Sequence, residues 1–567
     1  MKKFAPIIAA FFTISVMSQS PPENSSLFPL SEVKPGLTAT GFSVFKGEEI
    51  TSFEAEVIDV QQVGAIREPM ILCRLKGPFF EKNGVIAAMS GSPLYVGGRF
   101  LGAVAMGWSF SKEPICGVTP AEQMTGLYEK KVSGGASAMQ KNGSPADFGS
   151  FLDSLGSRKP LTAGLPETLE AEGFSVSYAA SPERKMAAAE LLPGSIIGVQ
   201  LVQGDVQITA FGTVSSVKGE KALAFGHSFF GLGEVDFPLV RGRVSAVLPS
   251  MLFSFKISEA GDEIGRMTFD SPYGILLEKG RAADLLPVDI LYAKSGGGDA
   301  KRSVRIVRHP YLSGMLLETA LVLLQEQLEG TGDDLHVLVD SLEFEFDEGG
   351  RLSMPSQRFG GTSPSGAMTS YIADCYTLLT KNTYRKEKIA RIRASVRSMK
   401  GREEGKLLEL KARSSTVRRG EKIELEAAFL PYEGERIVKG FSFRTDDLPA
   451  GQIKVVAGDN LSVYKRVAQS MNELPGDFQG LKKALGEMPR GGALVFAILS
   501  DSEGVYSGNR RLPELPPSLQ AGIPVAREGS TTRAAEKILA GPAEGPDTGY
   551  FEGLLEIKLE IIEKDAK

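Results

Sequence analysis

Residues 87–108 read AAMSGSPLYVGGRFLGAVAMGW. The run Ser90-Gly91-Ser92-Pro93 separates two apolar stretches, and small residues with a proline form a tight bend. Beyond it, two short strand-like runs meet at Gly97-Gly98, which predicts a hairpin. The bend either serves that hairpin alone or holds a serine out on a sharp turn, its hydroxyl free to attack. The second reading needs a base nearby and backbone N–H groups aimed at the developing oxyanion.

Working outward, residues 30–127 read as β. SFEAEVIDVQQV and MILCRLKG are half-alternating strand candidates. After the hairpin, CGVTPAEQM predicts a short helix capped by Thr119, with Pro120 at its first position and Glu122 closing a capping box. Residues 131–190 change character. SGGASAMQKNGSPADFGS is a linker, and LPETLEAEGF and SPERKMAAAELL predict short helices.

A second β region covers 191–308, with turns at Gly204-Asp205 and Gly219-Glu220. Residues 309–406 predict helices. GMLLETALVLLQEQLEG is one by its length and Leu/Ala/Glu content, and a longer helical pattern runs from Ser365 to Met399. Its basic later half reads as a solvated face. Residues 407–567 read as a β-sandwich-like module with helical inserts. The fold class is therefore mainly β with helical linkers.

The start of the chain looks like an export signal. Lys2 and Lys3 precede the apolar run FAPIIAAFFTISVM, and Val16-Met17-Ser18 is an acceptable cleavage site, which assigns 1–18 as a signal peptide. The expected location is the periplasm or the extracellular space. No later segment has the roughly 18–20 apolar residues of a spanning helix, so none is expected in the mature chain. The 567 residues carry a formal net charge of -5, which makes no case for a nucleic-acid partner. Cys73, Cys116 and Cys375 form no disulfide framework. Cys73 and Cys116 could pair, but two buried thiols are preferred. With three widely spaced histidines and no metal-binding motif, neither a metal nor another cofactor is expected.

A base for the serine must come from His227, His309 or His336. His309 precedes a proline and His336 sits in the apolar run LHVLVDSL; they read as loop and core residues. His227 lies in KALAFGHSFFGLGEVDFPL, flanked by Gly226, Gly231 and Gly233, at a strand end on an adaptable loop where functional residues tend to be held.

The serine stretch is similar to the Gly-x-Ser-Gly-Gly-Pro run, strand, turn and strand of chymotrypsin-like proteases. On that spacing Ser90 attacks, the N–H groups of Ala88 and Ser90 form the oxyanion hole, and Ser92 is structural. More specifically, EKNGVIAAMSGSPLYVGGRFLGAVAMGW resembles the serine block of the SpoIVB peptidase family, the sporulation stage IV protein B group of serine endopeptidases. FGTVSSVKGEKALAFGHSFF resembles that family's histidine block, and SKEPICGVTPAEQM continues the match. LSEVKPGLTATGFSVFKGEEITSFEAEVIDV looks like the lead-in of exported, non-sporulation relatives. The resemblance covers roughly residues 28–300.

It implies a chymotrypsin-like unit of two β-barrels, with Ser90 as nucleophile, His227 as general base and protein or peptide substrates. Three departures stand out. The histidine block follows the serine block here, the reverse of the sporulation protein, which implies a circular permutation of the two barrels. No Asp stands near Lys76, where the family has its acid, and Glu81 does not align; Asp236, Asp270 or no acid at all orients His227. Ala88 stands where glycine is usual. Self-cleavage, at the flexible SGGASAMQKNGSP stretch, is a further expectation. The competing reading is an envelope scaffold or binding protein that keeps this fold without catalysis. A nucleic-acid or lipid binder using the basic stretch near 381–402 is the weakest alternative.

Overall fold

The computed structural model describes residues 20–22, 25–63, 68–130, 174–178, 190–330, 334–382, 384, 387–468, 477–507, 510–512, 532–547 and 549–563. The proposed signal peptide, the SGGASAMQKNGSP stretch and the two helices expected within 131–190 lie outside the described residues, apart from a short strand, Phe174–Tyr178.

The chain is mainly β. Its first unit holds β1 (Thr38–Val44), β2 (Ile50–Val63), β3 (Glu68–Leu75), a short helix α1 (Pro78–Asn83), a two-residue β4 (Ile86–Ala87), β5 (Pro93–Val96), β6 (Arg99–Gly107), β7 (Ile115–Pro120) and helix α2 (Ala121–Thr125). The barrel closes in the order β1-β2-β3-β7-β6-β5, and every neighbouring pair is antiparallel. Its interior is filled by Phe53, Val57, Ile71, Cys73, Leu94, Leu101 and Val118, all buried. As the alternation predicts, the inward residues of β2 (Phe53, Ala55, Val57) and β3 (Ile71, Cys73, Leu75) recur at every second position.

After β8 (Phe174–Tyr178) come β9 (Ile196–Gly204), β10 (Val206–Lys218), β11 (Lys221–Ala224), β12 (Gly233–Leu248), β13 (Ser254–Ser271) and β14 (Gly274–Lys279). Their pairings also close a ring: β9-β10-β11-β14-β13-β12 and back to β9. Numbered one to six within each unit, the strands of both rings run 1-2-3-6-5-4. The same winding therefore occurs twice in tandem.

The second ring is not isolated. β15 (Leu285–Ala293) and β16 (Asp299–Val307) extend its sheet through β9, followed by helix α3 (Ser313–Glu329), β17 (Leu335–Phe346), β18 (Arg351–Met354), β19 (Gln357–Phe359), helix α4 (Pro364–Lys381) and β20 (Ile389–Lys400). One apolar cluster joins the interior of the second ring to α3, α4, β17 and β20.

Here the helical expectation for 309–406 fails in part. The helix that starts at Pro364 stops at Lys381, and residues 389–400 form a strand. Ile392, Ala394, Val396 and Ser398 alternate inward with a period of two, which a helix cannot bury. The basic residues between them are not a free cationic face: Arg391 bonds Asp289, Arg393 bonds Glu345 and Arg397 bonds Asp340.

The last part has a three-stranded sheet of β21 (Gly405–Ala412), β23 (Lys422–Pro431) and β24 (Ile437–Arg444). Against it stands a sheet of β22 (Thr416–Arg418), β25 (Gly451–Gly458), β26 (Ala493–Ser507), β27 (Arg510–Leu512), β28 (Thr532–Asp547) and β29 (Leu554–Ile562). Ile423 and Leu425 of the first share a core with Val455, Ile498, Leu559 and Ile561 of the second. Two helices, α5 (Asn460–Ala468) and α6 (Phe478–Gly486), are inserted. Asp477 caps α6 by accepting from the Gly480 N–H at 2.7 Å.

Apolar packing and the arm of the second ring help to set the two rings against each other. Phe42, Tyr95, Phe100, Ala103 and Met124 of the first pack with Leu223 and Leu276 of the second. The long β12–β13 hairpin reaches across like an arm, and Gly47 and Val244 exchange both backbone hydrogen bonds, at 2.7 and 2.8 Å. Farther along the arm, β13 pairs in parallel with β4. Among the described residues no helix is long and apolar enough to cross a membrane.

Candidate active site

Ser90 lies in the connection between the third and fourth strands of the first ring, and His227 in the same connection of the second. The two connections meet. The Ser90 carbonyl accepts the Thr213 N–H at 2.8 Å, and the Thr213 carbonyl accepts the Phe225 N–H at 3.2 Å. Gly91 donates to the Val104 carbonyl at 2.6 Å, and a side chain on Gly226 would stand 2.9 Å from that same oxygen. The residue after Ser90 and the residue before His227 are thus held against one atom.

Both turns use left-handed backbone. Ala88 has φ +67°, followed by Gly91 at +92°; Phe225 has +70° and Gly226 +69°. The approach at Gly91 admits only glycine, because a Cβ would lie 1.9 Å from the Thr213 carbonyl oxygen. Ala88 pays for its conformation with about 1 kcal/mol or more. Its carbonyl is held by two donors, Thr213 Oγ1 and Lys256 Nζ, each at 3.1 Å. Ser92 is fully buried, donates to Ser43 Oγ at 3.0 Å and is structural. Ser215 Oγ fixes the far side of the turn by donating to the Gly91 carbonyl at 2.8 Å.

Ser90 is half-buried, and among the described residues its hydroxyl makes no hydrogen bond, to His227 or to any other group. His227 is also half-buried. Its Nδ1 lies 2.7 Å from the Ser228 carbonyl oxygen. A carbonyl only accepts, so Nδ1 carries the proton and Nε2 keeps the lone pair of a base. Burial pulls the His227 pKa below its usual 6.5, against the upward pull of the Ser228 carbonyl and of the Asp270 charge.

The two acids named from the sequence part ways. Asp270 is buried and accepts three backbone N–H groups of the histidine loop, from Phe229 and Phe230 at 2.7 Å and from Leu232 at 3.0 Å. It shapes the loop and acts on His227 through its charge, with no hydrogen bond to the ring. Asp236 is bonded to Arg266 at 3.1 Å and to the Asp284 N–H at 3.0 Å. That places it in an ion pair on the wall of the second ring, because a guanidinium and a backbone donor already take its two oxygens.

The capping box expected at Thr119 is absent. Pro120 is the N-cap, with no side-chain bond. Thr119 Oγ1 instead donates to the Gly226 carbonyl at 2.6 Å, and Glu122 accepts the Leu30 N–H at 3.1 Å. Tertiary partners win over the local motif. His309 is buried beside the Phe237 ring and His336 bonds the Gly401 carbonyl at 2.9 Å, both as loop and core residues. Cys73 and Cys116 face one another across β3 and β7 as buried free thiols. No group of three or more His, Cys, Asp or Glu among the described residues could hold a metal ion. The sequence did not single out Lys256 or Thr213; nothing in the pattern around either marks them.

No family model matches the chain, and neither a curated protein nor a solved structure is found to match it.

Proposed function

We propose that the chain is an exported serine endopeptidase of the SpoIVB type, built on a chymotrypsin-like pair of barrels in permuted order. The observation that carries this reading is the equivalent placement of Ser90 and His227, each on the third-to-fourth connection of its ring, with the connections in contact through Thr213 and Val104. The N–H groups of Ala88 and Ser90 support it further, since neither donates a hydrogen bond among the described residues.

In this reading Ser90 Oγ attacks the carbonyl carbon of a peptide bond while Nε2 of His227 takes its proton. The two N–H groups stabilise the oxyanion. The carbon–nitrogen bond then breaks, the imidazolium gives its proton to the leaving amine, and water attacks the acyl group with His227 again as base. The Ser228 carbonyl does the orienting that a carboxylate does elsewhere, with the Asp270 charge behind it. Protein substrates, self-cleavage and a partner-binding role for a sandwich-like C-terminal module belong to the same proposal.

A second reading, a scaffold without catalysis, is favoured by the absence, among the described residues, of a hydrogen bond between the Ser90 hydroxyl and His227. A fluorophosphonate probe separates the two. Serine attack on phosphorus expels fluoride and leaves a stable adduct. Labelling of the wild type and none of folded Ser90→Ala supports the peptidase; equal, absent labelling of both supports the scaffold.

A further inference from the structure

Lys256 is a buried amine with no carboxylate partner among the described residues. It lies on the arm formed by β12 and β13, two residues beyond the Ser254–Ile86 pairing, so the second ring delivers it beneath the serine turn of the first. Its Nζ donates to Ser43 Oγ at 2.9 Å and to the Ala88 carbonyl at 3.1 Å. It also stands 5.3 Å from the centre of the Phe45 ring. Ser43, on β1, is fully buried and accepts from Ser92 as well. No ion pair involves Lys256 among the described residues. An apolar side chain of similar length would fill the space without the desolvation penalty of an amine, so its local contacts are the reason to look for a role.

We infer that Lys256 is a positioning residue for the oxyanion hole, holding the Ala88 carbonyl so that the N–H groups of Ala88 and Ser90 converge on one point. The inference rests on the peptidase reading of Ser90. The physical argument starts from the planar peptide between Ala88 and Met89. Fixing its carbonyl fixes that plane, and with it the torsions on either side. The N–H before the plane, on Ala88, and the N–H after it, on Ser90, then keep their directions. The hold is needed because Ala88, unlike glycine, does not rest easily at φ +67°. Burial brings the Lys256 pKa down to about 7. Both forms of the amine retain two N–H donors, enough for both acceptors.

The test uses the full chain and the fluorophosphonate probe. Lys256→Met keeps an unbranched side chain, one bond shorter, and removes the donors. Its maximal labelling rate should fall by about tenfold or more, the scale expected when hole donors are misaimed, with the half-saturating probe concentration within about twofold of wild type. Adding Ala88→Gly should restore most of the rate, because glycine adopts the turn unaided. A purely packing role for Lys256 would not be rescued at Ala88. A wild-type rate in Lys256→Met, or a loss that Ala88→Gly leaves in place, overturns the inference. Should Lys256→Met not fold, Lys256→Leu, which likewise has no donor, is put through the same comparison. If the wild type is not labelled at all, the peptidase reading falls by itself. Amide exchange over residues 86–92 then decides about Lys256: faster exchange there than in wild type, with β3 unchanged, supports the hold, and equal exchange overturns it.

Discussion

Thr119 Oγ1 donates to the Gly226 carbonyl at 2.6 Å, tying the last strand of the first ring to the residue beside His227. The bond is buried and joins the two units beside the hydrogen bonds that Thr213 and Ser215 make to the serine turn. Thr119→Val keeps the shape and strands that carbonyl. A destabilisation of about 1–3 kcal/mol is expected in chemical denaturation, together with slower probe labelling of Ser90.

Asp270 satisfies three backbone donors of the histidine loop. Asp270→Ala leaves them unpaired in a buried setting, and a loss of about 3 kcal/mol or more follows. Asp270→Asn removes the charge that raises the His227 pKa. The ring should therefore titrate at a still lower pH in that variant, which NMR of the imidazole protons reads directly. An unchanged His227 titration would mean that the charge does not reach it.

Burial holds the His227 pKa below 6.5. On the peptidase reading, the base form needed for attack then persists below that pH. The acid limb of the labelling rate should fall below pH 6.5 with a one-proton slope. The same depression carries a stability sign. Between pH 6.5 and the lower folded value the unfolded chain binds the proton and the folded chain does not, so stability drops as the pH falls through that window. His227→Gln removes both effects.

Lys256 gives a separate window at higher pH. Its pKa is 10.5 in the unfolded chain and about 7 when folded. The contribution of this group to stability is greatest above 10.5, decreases as the pH falls through that window and levels off below about 7. Lys256→Met should lack that slope. Denaturation series at pH 7, 8 and 9 on both proteins supply the comparison.

The three thiols should be silent in the folded protein. Cys73 is pushed up to about 12 by burial, and Cys116 and Cys375 are raised by the same cause. A thiol reagent at pH 8 is expected to react with none of them until denaturant is added, then with all three.

Much of the β organisation is legible from alternation and turn residues: the hairpin at Gly97-Gly98, the turns after β9 and β10, and the β character of the C-terminal part. The ring closures are not, because they rest on pairings between distant strands. The misreading at 389–400 has a local cause. Arg and Lys at alternate positions look like a solvated helix face until their carboxylate partners, supplied by β15 and β17, are in view. At the candidate site, the serine turn and the glycine-flanked histidine loop stand out by composition, while Ala88 stands out only against the glycine usual at its place in the resembling family, and its left-handed backbone comes from the structure. Asp270 was named without its role. Lys256 was invisible, since its role depends on an arm whose reach into the other ring no local pattern encodes.

The tandem winding has one more consequence. On the peptidase reading each ring carries half of a reacting pair, Ser90 in the first and His227 in the second. On the peptidase reading, a chain still being threaded out of the cell, or one with a single ring folded, is harmless to its neighbours. Activity would begin only at docking, so the seam between the rings acts as the protein's own quality check.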